Sequence, residues 1–217
     1  MAEDSARGPA LPEVIRRRHM TRRFTGEQVA AELVDEIVGY ALRAPSAGFT
    51  QAVSLLVLTG DRVRRFWAVT TLPKGVNPNQ LVTEPPNAWL AGMMTAPVVV
   101  LVWTDRGAYE RRYAEPDKGW GTDPEAQPWA APYWWVDAGM AAQNVLLGAT
   151  AHGLGACFFG VPPDRAEAVR RAFRVPSDQL SVGALALGWP ADRVGVGGSA
   201  RTRKRRDRAE LIHKEVW

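Results

Sequence analysis

Apolar residues are densest over residues 136–162, where they occupy nearly every face of a potential helix. A helix without a polar face should be buried inside a protein rather than lie on its surface. Gly153 and Gly155 are expected to end it, because glycine accepts the left-handed dihedral angles of a helix C-terminus. A short apolar strand is predicted to follow at residues 156–159. The pattern therefore predicts a central helix leading into an inner strand, where α/β proteins often place ligands, although core packing alone would also explain it.

The rest of the chain alternates between helical and strand patterns. Apolar side chains recur at helical spacing over residues 29–44, and Pro45 should end this helix because it cannot continue the hydrogen-bond ladder. Shorter helices are predicted over residues 11–18, 62–69, 87–95 and 163–173. Continuous apolar runs predict strands over residues 54–59, 98–103 and 179–187. Strands that alternate with helices indicate a layered α/β or α+β architecture.

Residues 104–132 depart from this pattern, because they are charged and rich in Gly and Pro, with Trp120 and Trp129 among them. Connections of this length are usually functional or disordered. Large aromatic side chains usually pack against other groups and bury apolar area, which argues against disorder. We therefore predict a lid or arm insertion over residues 104–132. Residues 1–12 are predicted to be a flexible N-terminus, and residues 13–217 to form a single domain.

Composition restricts the possible classes of function. The chain has 217 residues, 46% of them hydrophobic, which suffices for a sizeable core. Cys157 is the single cysteine, so no internal disulfide framework is possible, and its strand position predicts a side chain that faces the core. The three histidines are too far apart for a typical zinc or iron site. Apolar runs are too short for a bilayer, and no signal peptide is evident, so we expect a cytoplasmic protein without metal or membrane association.

Positive charge is concentrated in two clusters, over residues 16–23 and 201–208. Such clusters suit a nucleic acid, a membrane surface or a small polyanion. Nucleic-acid binding usually comes with a recognisable module in which aromatic and basic residues alternate, and the sequence shows none. A phosphorylated ligand held by both clusters is the more economical hypothesis, and a merely solvated charged surface is the alternative.

Four short motifs occur in order along the chain. The first motif is RHMTRRF at residues 18–24, and the second motif is PSAGFTQ at residues 45–51. The third is the Gly-Leu-Gly sequence at residues 153–155, and the fourth is RKR at residues 203–205, followed by ELIH at residues 210–213. In order and spacing these motifs resemble those of the nitroreductase superfamily, and the resemblance covers most of the chain.

The resemblance implies an α+β, nitroreductase-like fold, with a central, mostly antiparallel sheet flanked by helices. It further implies a homodimer with FMN at each end of the subunit interface. The expected activity is that of an NAD(P)H-dependent FMN oxidoreductase. Hydride would pass from NAD(P)H through flavin N5 to an electron-poor small molecule, such as a nitroaromatic or quinone, by a ping-pong mechanism. The alternative is a flavin-binding protein without turnover, in which the lid covers the flavin. Nucleic-acid and membrane partners are not expected.

The resemblance also implies the site residues. The arginines would hold the FMN phosphate, because guanidinium groups bind phosphate bidentately. A main-chain N–H of Gly160 or Val161 would point at flavin N5, so no catalytic side chain is expected. Trp120 and Trp129 would form an aromatic ceiling for planar substrates, unless they pack in the core or at an interface. The implied cofactor-binding set is Arg18, His19, Met20, Arg22, Pro45, Ser46, Ala47, Phe49, Phe158, Gly160, Val161, Arg203 and Arg205.

Two motif positions depart from the family pattern. Met20 replaces the usual Ser of the first motif, so only its backbone could bond to flavin, and Phe49 replaces the common Asn of the second. The Pro-Ser-x-Gly-Phe-x-Gln form resembles the flavin-cleaving dimethylbenzimidazole synthases. Those enzymes place Asp at the position of Met20 and Ser at the position of Gly160, so flavin cleavage is not expected here.

The central helix is also the predicted dimer interface. A helix that is apolar on all sides needs cover on every face, and one chain of this length offers few elements to supply it. The small residues Gly139, Ala142 and Gly148 would allow two copies of the helix to cross closely about a two-fold axis.

Overall fold

The described residues form seven α-helices and four strands, with short 3-10 helices between some of them. The structure is a computed structural model that describes residues 9–73, 75, 77, 82, 84–118, 130–191 and 202–217. The helices are α1 (Leu11–Arg17), α2 (Ala31–Gly39), α3 (Asp61–Thr71), α4 (Ala88–Met93), α5 (Arg106–Tyr113), α6 (Tyr133–Ala151) and α7 (Pro163–Ala172). The strands are β1 (Val53–Thr59), β2 (Val98–Asp105), β3 (Gly155–Phe159) and β4 (Gln179–Gly188).

The four strands form one sheet in the order β1-β2-β4-β3, and every neighbouring pair is antiparallel. Strand β2 is buried along its whole length, because helices cover both faces of the sheet. Its Val98, Val100 and Val102 pack in one hydrophobic cluster, whereas Val99 and Leu101 pack in the other. This division follows from the two-residue period of a strand. The predicted α+β architecture, with a mostly antiparallel sheet flanked by helices, is confirmed.

Each face of the sheet has its own helical layer. Helices α2 and α6 cover the first face, where Ile37 and Val145 are fully buried. Helices α3, α4 and α7 cover the second, where Phe66, Met93 and Val169 are buried. Removing such side chains from water contributes about 1.5–3 kcal/mol each, so the two layers hold the sheet rigid between them.

Helix α6 is buried on the side that packs in the first hydrophobic cluster, but Gly139 and Gln143 in the middle of its length are exposed. The prediction of a helix buried on every face therefore holds only in part for the single chain. Ala142 is only 4% exposed and belongs to the first hydrophobic cluster. A Cβ at position 148 would collide with the ring of Tyr40, so the glycine there serves packing within the chain. Gly139, by contrast, is exposed and has open space around a Cβ position. Of the three small residues predicted to lie at a helix crossing, Gly139 is therefore the one that the single chain leaves accessible.

The segment over residues 104–132 has more regular structure than its composition suggests. Strand β2 continues to Asp105, and helix α5 follows at once, over Arg106–Tyr113. The first part of the segment is therefore helical, and its role as a lid or arm stays a prediction. Residues 119–129, which include Trp120 and Trp129, lie outside the described residues. Among the helices that the structure describes, none combines the length and hydropathy needed to span a bilayer.

Candidate functional site

The first motif lies along the outer edge of β3. Met20 pairs with Ala156 in parallel orientation, and the Thr21 N–H donates to the Ala156 carbonyl at 2.9 Å. Gly155 permits this approach, because a Cβ there would lie 2.6 Å from Thr21 Oγ1. The Gly-Leu-Gly end of the central helix therefore serves to seat the first motif against the sheet.

On its other side the first motif lies against α4. A Cβ at Gly92 would collide with the Arg22 carbonyl, and the Phe24 N–H donates to Thr95 Oγ1 at 2.9 Å. The sequence pattern predicts α4 as a helix but gives no reason to connect it with the site. The glycine at position 92, within a helix of only six residues, is the one local sign of a close backbone contact.

Arg18 carries a buried donor without an acceptor. Its Nη1 atom is inaccessible to solvent and has no hydrogen-bond partner among the described residues. Burying such a donor unpaired costs about 1–3 kcal/mol, and more for a charged group. An anionic oxygen placed beside Arg18 would remove this cost, so the first motif fits a phosphate-bearing cofactor.

Arg22 and His19 are held by the backbone of the same segment. Arg22 Nη1 donates to the Met20 carbonyl at 3.3 Å. His19 Nδ1 lies 3.0 Å from the Arg17 carbonyl, and because a carbonyl only accepts, this nitrogen carries the proton. His19 Nε2, 3.4 Å from Thr21 Oγ1, is then the acceptor in the neutral ring. Both side chains are thereby fixed next to Arg18.

Cys157 faces the core beside this motif, as the strand pattern predicts. It is 3% exposed, and burial raises the pKa of its thiol, an effect that the positive charge of Arg22 opposes only in part. A thiol of raised pKa is a poor nucleophile at neutral pH, which agrees with the prediction that Cys157 has no catalytic part.

The second motif forms a tight turn that lies beside the first residues of α6, to which Ala47 is bonded through Asp137. Ser46 accepts two hydrogen bonds within the turn, from the Phe49 N–H to its carbonyl at 2.9 Å and from the Gln51 N–H to its Oγ at 3.0 Å. Phe49 and Gln51 have positive φ angles of 55° and 54°, and the Phe49 side chain is 76% exposed. The turn therefore projects an aromatic ring away from its own chain. A cavity of about 170 Å³, lined in part by Pro45 and Ser46, lies beside it.

Asp137 secures this turn to the protein interior. Its Oδ2 atom accepts the Ala47 N–H and the Tyr109 hydroxyl, each at 2.7 Å. Burial, followed by the hydrogen bond to Asp137, raises the pKa of Tyr109 above its ordinary value, so Tyr109 stays protonated and remains a donor. Sequence reasoning missed Asp137, although it is the one charged residue in the otherwise uncharged stretch 133–151, a signal that could have identified it.

The segment after β3 borders a cavity of about 280 Å³. Phe159 stacks on Trp67 with ring centroids 5.6 Å apart, and the edge of Trp89 meets it at 5.9 Å. Gly160 and Val161 line the same cavity, and a Cβ at Gly160 would meet open space. Phe158 points elsewhere, since its ring fills the space beside Gly183. The aromatic lining of Trp67 and Trp89, on α3 and α4, was not predicted from the sequence.

Two further residues of the predicted cofactor-binding set lie in the C-terminal segment, within residues 202–217 that the structure describes. Arg203 and Arg205 are exposed, and the backbone hydrogen bonds of residues 207–216 stay within the C-terminal segment. Trp120 and Trp129 lie outside the described residues, so their predicted contact with substrate remains a prediction.

The first and second motifs are anchored at opposite ends of α6. Ala47 is bonded to Asp137 near the start of the helix, whereas the Leu154 N–H, next to the Gly155 that seats the first motif, bonds to Ala149 near its end. At 1.5 Å per residue, Asp137 and Ala149 are about 18 Å apart along the helix axis. One chain therefore presents the two motifs as two separate surfaces.

Comparisons with known proteins identify the same family as the four sequence motifs. The model of the Nitroreductase family matches residues 15–189. The chain is 29% identical over 210 residues to a provisionally named NADH dehydrogenase/NAD(P)H nitroreductase of Methanothermobacter thermautotrophicus, covering 94% of this chain and 86% of that one. It is 25% identical over 224 residues to a chloronitrobenzene nitroreductase of Comamonas testosteroni, covering 90% and 93%. A provisionally named nitroreductase of Desulfovibrio desulfuricans, solved with FMN, superposes with a TM-score of 0.67 at 26% identity, covering 97% and 99%.

Proposed function

The chain belongs to the nitroreductase family, and we propose that it is an FMN-dependent oxidoreductase with NAD(P)H as donor. The proposed acceptor is an electron-poor small molecule such as a nitroaromatic or quinone, reduced by a ping-pong mechanism. FMN, when bound, would supply a ring whose N5 atom takes up and releases hydride. The observation that carries the proposal is the buried, unpaired Nη1 of Arg18, in a motif that the family uses for its cofactor.

In this proposal the protein binds and orients the cofactor. Arg18 and Arg22 would hold the phosphate and adjoining polar groups, because guanidinium–phosphate hydrogen bonds are roughly twice as strong as neutral ones. Arg203 and Arg205 of the exposed C-terminal segment would add positive charge. His19 and the backbone of Met20 would contact the flavin from the same edge of β3. The open space at Gly160 would let the Gly160–Val161 backbone approach the ring closely.

We further propose that a homodimer completes each site. The second motif, with Pro45, Ser46, Ala47 and Phe49, would contact FMN held by the first motif of the partner subunit. Two observations support this. Within one chain the motifs are anchored about 18 Å apart along α6, and the cavity beside Gly160, at about 280 Å³, has room for a ring rather than for a complete FMN molecule. Trp120 and Trp129 remain candidates for contact with a planar acceptor.

The test is the visible spectrum of the purified protein, followed by anaerobic titration with NADH and NADPH and by steady-state assays with a quinone and a nitrofuran. We expect a yellow protein that retains FMN, is bleached by at least one donor, and turns over with at least one acceptor. A protein that neither carries FMN nor takes it up would overturn the proposal. Bound FMN with no donor oxidation would instead support the alternative, a flavin-binding protein without turnover.

A further inference from the structure

The turn at residues 46–51 is bonded from outside by Arg112 on α5 as well as by Asp137. We propose that Arg112 is a positioning residue that fixes this turn, and with it the exposed ring of Phe49, in the geometry that receives FMN. The inference rests on the proposed function, since it takes the second motif to be one wall of the flavin site. Nothing in the sequence connects Arg112 with the second motif, from which it is separated by more than sixty residues.

The contacts of Arg112 give it one orientation. Its Nη1 and Nη2 atoms donate to the two carboxylate oxygens of Asp117 at 2.7 and 2.8 Å, and Nη1 also donates to Glu115 at 2.9 Å. A bidentate pair of this kind fixes the plane of the guanidinium group. The remaining donor, Nε, then points at the Gly48 carbonyl, 2.8 Å away. The hydrogen bond from Arg112 also lowers the pKa of Asp117, so the pair is fully ionised at neutral pH.

The turn needs such support because its backbone is strained. Gly48, Phe49 and Gln51 all have φ angles in the left-handed region, at 63°, 55° and 54°. For bulky residues without the freedom of glycine this conformation is strained. It persists only where the surroundings hold it, and strained residues of this type cluster at ligand-binding sites. Two hydrogen bonds from outside the turn hold its backbone in this conformation. Asp137 accepts from the Ala47 N–H, and Arg112 donates to the Gly48 carbonyl.

The end of α5 also packs directly on the turn. A Cβ at Gly48 would lie 2.9 Å from Tyr113 Cε2 and 3.4 Å from Lys118 Cε. The side chains of Tyr113 and Lys118 therefore pack against this glycine. Phe49, the next residue, is 76% exposed and gains little from packing in its own chain. Without Arg112 the carbonyl would lose its partner, the turn could relax, and the Phe49 ring would no longer be presented in one place.

The experiment compares Arg112→Ala and Arg112→Lys with Arg111→Ala. Arg111 is a matched control, because it lies on the same helix, is 71% exposed and pairs with Asp105 instead. Hydrogen exchange of the peptide spanning residues 46–51 is measured in the FMN-free proteins. The FMN dissociation constant is measured by flavin fluorescence, and the visible circular dichroism of bound flavin is recorded at saturation. Thermal midpoints show whether each variant is folded.

We expect Arg112→Ala to speed exchange across residues 46–51 and to weaken FMN binding at least tenfold, with an altered flavin dichroism at saturation. Arg112→Lys should restore little of the FMN affinity, because an ammonium group lacks the planar guanidinium that binds Asp117 and Gly48 at the same time. Arg111→Ala should match the parent. A merely structural role would lower the thermal midpoint but leave the dichroism of saturated protein unchanged, and that result would overturn the inference.

The two proposals fail in different ways. A parent protein that does not bind FMN overturns the proposed function and the positioning role together. A parent that binds FMN, with an Arg112→Ala variant that equals it in affinity and dichroism, overturns the positioning role alone. If Arg112→Ala does not fold, Asp117→Asn is used in its place. This variant removes the carboxylate that fixes the orientation of the guanidinium group but keeps Arg112. Unchanged exchange and affinity in Asp117→Asn would also contradict the inference.

Discussion

The Tyr109 hydroxyl donates a 2.7 Å hydrogen bond to Asp137 inside the protein, where the two residues are 0% and 2% exposed. The same carboxylate oxygen binds the Ala47 N–H. Asp137 thus joins helices α5 and α6 to the turn that carries the second motif. A buried carboxylate is tolerated when its hydrogen-bonding capacity is used, and here both of its partners belong to segments that surround the candidate site.

Asp137→Ala should destabilise the fold, because it leaves the buried Tyr109 hydroxyl and the part-buried Ala47 N–H without their acceptor. A buried unsatisfied donor costs about 1–3 kcal/mol, so the free energy of unfolding should fall by at least about 1 kcal/mol. Urea unfolding measures this change. Tyr109→Phe, which removes one donor and leaves the other bonded, should have a smaller effect. An Asp137→Ala variant as stable as the parent would show that this network contributes nothing.

Stability should fall in alkaline solution because of Tyr109. Its pKa is raised in the folded state above the unfolded value of 10.0, so above about that pH the unfolded chain loses its tyrosine proton while the folded one retains it. The unfolded state then binds fewer protons, and the free energy of unfolding falls as pH rises. Urea unfolding from about pH 8, where both states keep the tyrosine proton, to about pH 11, above the unfolded pKa, should show a steeper decline for the parent than for Tyr109→Phe. Equal slopes would contradict the assignment.

Replacing those arginines of the basic clusters that belong to the implied cofactor-binding set should weaken FMN retention. A hydrogen bond to a charged group contributes about 1.5–3 kcal/mol, and a tenfold change in affinity corresponds to about 1.4 kcal/mol. We therefore expect Arg18→Ala, Arg22→Ala and Arg205→Ala each to weaken binding by about tenfold or more. Equilibrium dialysis with FMN measures this. Arg16→Ala, at an exposed position on α1, is the control, and variants that all behave like it would assign these arginines to surface charge only.

Gly160→Ala should impair FMN binding without affecting the fold. The added Cβ would meet open space in the chain, so the thermal midpoint of the FMN-free protein should be unchanged. If the flavin ring approaches the backbone here, the methyl group would obstruct it and FMN affinity should fall at least about tenfold, which equals about 1.4 kcal/mol. Gly39→Ala, on α2 and also in open space, is the control for FMN binding. Unaltered affinity in Gly160→Ala would remove this residue from the proposed site.

Gly139→Arg tests the proposed dimer at the exposed position of α6. The single chain has room for the side chain, so the protein should still fold, whereas a charge at a buried subunit interface is costly. Light scattering should report a monomer, and FMN should be released if both subunits contact it. Ala142→Arg is unsuitable, because Ala142 is 4% exposed within its own chain and the variant should unfold. A dimer that persists in Gly139→Arg would place the interface elsewhere.

Most of the regular structure could be predicted from the sequence, since it depends on local patterns. The continuous apolar run at residues 98–103 became β2, buried throughout, and the helix predicted over residues 163–173 became α7 within one residue. Helix α5 could not be predicted, because its sequence, RGAYERRY, has no apolar stripe and buries only Tyr109. That helix is held by contacts with distant residues, which no local pattern records.

The sequence alone determined the order of the four strands and of most helices, together with the motifs that identify the family, because helical and strand periodicity and motif spacing are properties of neighbouring residues. Only the tertiary structure decided which motif residues meet. It paired Met20 with Ala156 and bonded Arg112 to Gly48. It also left the first and second motifs on separate surfaces of one chain. Contacts of this kind join residues far apart in sequence, and they follow from how helices and sheet pack rather than from any pattern within one segment.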